Sequence, residues 1–317
     1  MPFKAHKFYA FIFNYLLLLT LFQAPTFAQQ GRDSLKSNSQ LVDYQVVTSN
    51  NKKLKKYLLL GTASYTVGLF ALNELWYKKS PRQSFRFFND NSEWKQVDKF
   101  GHFYTTYQLG KVGHHFLSHT NLTQNQARFY GGMLGSVLMF PIEILDGFSA
   151  DFGASWGDWI ANFGGSAFYV GQDLLWQEQR IKVKFSYSPS KFAKLRPNVL
   201  GSSWQERLLK DYNGQIYWFS FDTSSFLKES SRFPKFLNIA LGYGADRLIF
   251  ARTEQNQAAG YQAYRQYYLS LDLDFSHIKT KSSFVKTAFF ILDMVKLPLP
   301  TLEYNQQNKF RFHYFGK

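Results

Sequence analysis

The chain has 317 residues, 45% hydrophobic and 19% aromatic, with 34 Phe, 20 Tyr and a formal net charge of +15. That length holds one large or two ordinary domains, and a mean hydropathy of -0.30 excludes a chain built mostly of membrane spans. With no cysteine in the sequence, disulfides, a thiol nucleophile and cysteine acylation are excluded, while the charge favours anionic partners.

Residues 1–28 read as an export signal. Lys4, His6 and Lys7 precede an apolar run from Phe8 to Phe22, and Thr26, Phe27 and Ala28 offer a cleavage site that leaves Gln29 as the mature N-terminus. An uncleaved membrane anchor is the other reading of this run. Residues 29–53 are polar, rich in Ser, Asn and Gln, and form a flexible lead-in. An exported chain rarely meets nucleic acid. The expected partner is therefore a membrane or anionic lipid, not nucleic acid, with a protein partner left open.

From Tyr57 to Tyr77 an apolar run is long enough to span a bilayer. Lys52, Lys53, Lys55 and Lys56 on one side and Lys78, Lys79, Arg82 and Arg86 on the other balance its flanks, so the charge rule gives no orientation. Spanning, burial in protein and a surface position all stay open. Three further helices are predicted over about 98–118, 126–146 and 155–176. Gly131 with Gly135, and Ala161 with Gly165, have the spacing that lets helices approach closely. Pro141 removes an intrahelical hydrogen bond just before Glu143 and predicts a kink there.

After Trp176 the period changes. Lys182–Tyr187, Ile216–Phe221, Leu237–Tyr243, Tyr267–Phe275 and, more weakly, Lys309–Phe315 alternate as half-buried strands do, and Phe284–Val295 returns to helical spacing. About five strands are too few for an outer-membrane barrel. The expected architecture is α+β: a membrane-associated bundle of about four helices over 54–178, followed by an antiparallel β-rich unit over 179–317.

The chemistry-bearing residues interrupt the apolar helices. Asp98 and His102 are four apart on a helix, Glu143 and Asp146 three apart, Ser155 and Asp158 three apart, and Asp158 and Asn162 four apart, so each pair shares a face. Buried carboxylates are unfavourable unless paired, which predicts that His102, Glu143 and Asp158 converge between helices. Asp98, His102, Glu143 and Asp158 are the catalytic candidates; Lys99, Asp146, Ser155 and Asn162 are the binding candidates. Such a set can bind a divalent metal or form an acid–base pair, and Lys99 can neutralise carboxylates or contact a phosphate. It can equally serve packing, with Asp98 as a helix cap and Ser155, Asp158 and Asn162 bonding across helices. Metal and cofactor stay undetermined. His114, His115 and His119 cluster without nearby carboxylates and read as solvated or interfacial. No phosphate loop, nucleophile elbow, zinc motif or dinucleotide fingerprint is present.

Asp98-Lys99-x-x-His102-Phe103, Glu143-x-x-Asp146 and Ser155-x-x-Asp158-x-x-x-Asn162-x-x-Gly165, in that order, resemble the YfiM-like family of predicted periplasmic lipoproteins. A weaker similarity is to VanZ-like membrane proteins. The resemblance covers about residues 55 to 175, and the C-terminal portion looks like an extension found in larger members. It implies an envelope location and a membrane-associated helical core, and it carries no reaction. The chain departs from the lipoprotein label in having no cysteine to acylate. The function expected is a structural or binding role towards anionic lipid or an envelope protein. The alternative is an envelope enzyme acting on a lipid or cell-wall precursor, with Asp98, His102, Glu143 and Asp158 around the reacting group.

Overall fold

A computed structural model describes residues 52–77, 80–228 and 233–316, so the expected signal segment and nearly all of the lead-in lie outside the described residues. The chain is α+β, with helices in the N-terminal part and a six-stranded antiparallel sheet in the C-terminal part. It divides into two compact units. The described residues of the first come from Met1–Ser84, His119–Asn121 and Ser149–Asp151; the second holds Phe85–Ser118, Leu122–Phe148 and Phe152–Lys317. In the first, α1 (Lys52–Leu72) takes up the apolar run from Tyr57 and passes into a π-helical turn at Asn73–Tyr77. The backbone N–H of Ala150 donates to the carbonyl of Pro81 in the same unit.

The second unit contains α2 (Val97–Leu117), α3 (Gln124–Gly147) and α4 (Trp156–Trp176). Thr123 starts α3 with a capping box: its side chain accepts from the Gln126 N–H, and the Gln126 side chain accepts from the Thr123 N–H. Ser155 starts α4 by accepting from the Asp158 N–H. The Ser-x-x-Asp spacing is thus a helix cap as well as a polar pair. The start of α2 differs from the expected cap at Asp98. Its N-cap is Gln96, and Trp94, Lys95 and Gln96 all lie at φ between 48° and 65°, a left-handed turn that side chains enter at some strain. Trp94 holds that turn by packing on Tyr212, with ring centroids 4.8 Å apart.

α2, α3 and α4 pack against one another along the small residues. A Cβ on Gly135 would fall 2.2 Å from the Thr106 carbonyl oxygen, and one on Gly165 would fall 2.1 Å from that of Phe103. Only glycine allows these backbones so close. Helix α3 runs on through Pro141 and, among the described residues, is the one helix long and apolar enough to cross a membrane.

The sheet is a meander in the order β1 (Ile181–Tyr187), β2 (Gln215–Phe221), β3 (Leu237–Asp246), β4 (Tyr264–Leu273), β5 (Thr301–Asn305) and β6 (Lys309–His313). Strand β5 has no counterpart in the sequence reading, because Pro298 and Pro300 mask its start. After several short helical turns in the loops between strands, a longer helix, α5 (Ser283–Leu292), lies between β4 and β5. After it, Met294–Lys296 runs beside the free edge of β1: Phe185 N–H donates to Met294 and Lys296 N–H to Phe185. The chain then crosses to β5 beside β4, bringing the Lys296 ammonium 5.1 Å over the Trp218 ring.

Antiparallel register places directly paired residues on one face. Phe185, Tyr217, Tyr243, Tyr267, Tyr304 and Phe310 therefore form one aromatic row across all six strands. Val183, Phe219, Leu241, Leu269, Leu302 and Phe312 form the next row on the same face. Helix α2 covers the β1–β2 end of this face through Phe100, 4.5 Å from Tyr243 between ring centroids, and Tyr104, 5.6 Å from Phe185. The alternation expected from the sequence is present, but over β3–β5 its sense is inverted. Ile239, Leu241, Leu269 and Leu271 are exposed, whereas Asn238, Gln266, Ser270, Asp272 and Glu303 are buried.

Candidate functional site

The centre forms where the first two turns of α2 meet the end of α3 and the start of α4. Lys99 reaches three carboxylates: Asp158 at 2.6 Å, Asp90 at 2.7 Å and Asp98 at 3.1 Å. One turn further along α2, His102 lies between carboxylates from separate helices. Its Nδ1 is 3.2 Å from Glu143 Oε1, and its Nε2 is 3.5 Å from Asp158 and 3.8 Å from Asp98. Asn162 closes the set, donating from Nδ2 to Glu143 Oε1 at 2.8 Å and placing Oδ1 3.1 Å from His102 Nδ1.

His102, Glu143 and Asp158 thus converge as their spacing predicts, together with Lys99, Asp98 and Asn162. Ser155 takes part through the cap and donates to Asp90. Asp146 acts on Glu143 through its charge. Two members were not legible in the sequence. Asp90 sits in a loop without periodicity, and Tyr212, which donates to Asp98 at 3.1 Å, arrives from 114 residues further along the chain.

Burial sets the electrostatics. Desolvation alone would lower the His102 pKa, but the carboxylates of Asp158, Glu143 and Asp98 outweigh it and push it up to about 9. Desolvation likewise opposes charge on Lys99, and Asp98, Asp158 and Asp90 raise its pKa nonetheless. Glu143 and Asp158 are both raised, first by burial and further by neighbouring carboxylates, against the pull of His102. Asp98 goes the other way: His102 and Lys99 overcome its burial and hold it below the ordinary carboxylate value. Asp98, His102 and Asp158 offer ligand atoms within 4.8 Å of one another, close enough to hold a metal ion. The Lys99 ammonium already supplies positive charge to two of the three. Glu143 Oε2 is buried without a hydrogen-bond partner.

Residues 86–172 match a family described as predicted periplasmic lipoprotein (DUF2279). No curated protein and no solved structure matches the chain. The matched segment holds all eight residues singled out from the sequence and stops inside α4, before the sheet. The family description agrees with an exported, envelope-associated chain.

A second charged layer lies behind the sheet. Lys184 pairs with Asp272 at 2.7 Å and Asp293 at 3.4 Å, while Lys182 pairs with Asp274 and Lys111 with Asp293. Its only sequence signal is the repeated charge at Lys182 and Lys184, on one side of β1.

Proposed function

We propose that this chain is an exported envelope protein that binds membrane, with anionic lipid as its partner, and that the Asp–Lys–His centre is the internal ionic frame of its helices. One observation carries this reading: α4 buries polar groups and, of its large apolar side chains, only Tyr169 and Val170. Asp158, Asn162, Ser166 and Asp173 are buried, while Trp156, Ile160, Phe163 and Leu174 are more than half exposed. A helix surrounded by water buries its apolar stripe; this one faces it outward, as a surface in contact with lipid requires. The charge of +15 supports an anionic headgroup.

Flotation of the protein with phosphatidylcholine vesicles, with and without about one-third phosphatidylglycerol, tests the reading. Binding to the anionic vesicles is expected, weakened but not abolished by high salt, because salt screens charge and leaves apolar burial intact. Absence of binding to either vesicle would remove the proposal.

A second reading, an envelope enzyme acting on a lipid or cell-wall precursor, is favoured by the raised pKa of Asp158 and the unpartnered Glu143 Oε2. At the start of α4, next to Asp158 in sequence, Phe87, Asn91, Ser155, Trp156 and Gly157 line a cavity of about 290 Å³. Asp158→Asn separates the two readings in cells. A frame residue gives loss of function that tracks protein abundance; a catalytic one gives normal abundance and no complementation of a deletion.

A further inference from the structure

The sheet carries a surface that the helical centre does not account for. Strands β3 to β6 continue the helix-covered face of β1 and β2; α2 reaches its near margin through Phe100 on Tyr243 and leaves the leucines beyond exposed. There Leu241 and Leu269 are each 48% exposed, Leu271 41% and Phe312 53%. These residues are cross-strand neighbours, Leu241 with Leu269 and Ile239 with Leu271, so they form a continuous patch rather than scattered side chains.

The opposite face explains why the patch cannot be a core waiting to be folded inward. Behind it the sheet is filled with charge and amide groups, most of them paired: Asp272 with Lys184 and Ser220, and Gln266 with Glu303, with Asn238 Oδ1 the buried exception. Turning the strands over would bury leucines at the expense of exposing a paired ionic layer. The inverted sense is therefore fixed by the fold.

We infer that the outer face of β3–β6 docks into an anionic lipid bilayer, the leucine and isoleucine rows entering the acyl region and the tyrosine row lying at its interface. The order of the rows fits that occupant. Tyr267 and Tyr304, both exposed, lie at one margin of the patch, where amphipathic rings with a polar tip are favoured at a membrane interface; Tyr243 beside them is covered by Phe100 and donates to the Lys95 carbonyl. From that row to Leu237 is six residues along β3, roughly 20 Å at strand rise. Charge complements the headgroups at both margins. Arg265 is exposed on this face at the tyrosine end and Lys309 is exposed beside the β5–β6 turn there, while Lys235, Lys279 and Lys281 are exposed in the chain that leads into β3 and follows β4 at the other end. A basic rim around an apolar patch is the arrangement of a surface-docked, monotopic contact. A four-strand face with an open edge at β6 does not satisfy the backbone requirement for crossing a membrane.

This inference rests on the membrane-binding reading above and adds the sheet face, beside the outward stripe of α4, as a surface that contributes to it. The test uses the absence of cysteine from the sequence. Leu269→Cys, labelled with an environment-sensitive NBD probe, reports contact with lipid. The Leu241→Gln, Leu269→Gln double variant removes apolar area from positions already half exposed, so folding is retained and checked by circular dichroism. With vesicles containing phosphatidylglycerol, the probe is expected to shift to the blue and to be quenched by acyl-chain spin labels, and the double variant to bind about tenfold more weakly or worse. If the wild-type chain binds no vesicle, the membrane reading itself fails. If the wild type binds while the probe stays in water and the double variant binds equally well, docking occurs elsewhere and this inference is overturned. A wild-type dimer that the double variant converts to monomer without lipid would assign the face to a second copy of the chain, and would overturn it as well.

Discussion

His102 Nδ1 and Glu143 Oε1 lie 3.2 Å apart, joining α2 to the end of α3 at a point where the glutamate side chain is 1% exposed. The contact places an imidazole and a carboxylate together in the interior with Asp158 on the far side of the ring. Charge there is tolerated only because each group has an opposite partner.

A pH dependence follows from that arrangement. His102 binds its proton more tightly folded, at about 9, than at its ordinary value of 6.5. The stabilisation is complete below about pH 6.5 and is lost as pH rises through 9, up to roughly 3 kcal/mol for this one group. Asp158 and Glu143, both raised, act in the same direction above the ordinary carboxylate range. The melting temperature is expected to fall between pH 6.5 and 9.5, and His102→Gln to flatten that slope. Thermal melts across this window decide it; a flat wild-type curve would count against the ion-paired histidine.

The helix interface gives a paired prediction at two glycines. Gly135→Ala drives a Cβ into the Thr106 backbone of the facing helix, so a loss of about 1–3 kcal/mol or more is expected. Gly171→Ala, in α4, meets nothing within 4 Å and should leave stability unchanged or raise it by up to about 1 kcal/mol. Denaturant unfolding of the two variants side by side is the measurement. Equal effects would show that close approach is not what constrains α3.

Lys184 tests the layer behind the sheet. Its side chain is fully buried against Asp272, itself 1% exposed. Lys184→Met leaves Asp272 without its cation and should lose about 3–5 kcal/mol. The double variant Lys184→Met, Asp272→Leu should recover much of that loss, because both charges leave together. A double-mutant cycle by chemical denaturation measures the coupling, and additive losses would mean that the pair contributes little as a pair.

The long helices, most of the strands and most members of the centre were legible because periodicity and spacing are local properties. Asp98 and His102 share a face by virtue of being four apart. Spacing says which side chains point the same way. It does not say what they point at. Asp90 and Tyr212 joined the centre only through folding, one from a loop with no pattern and one from beyond the helices. The direction in which the sheet and α4 turn their apolar sides was likewise decided by tertiary structure. An alternating strand reads the same whichever face is covered, and long-range pairs such as Lys184 with Asp272, 88 residues apart in sequence, determine that the charged face is the one enclosed.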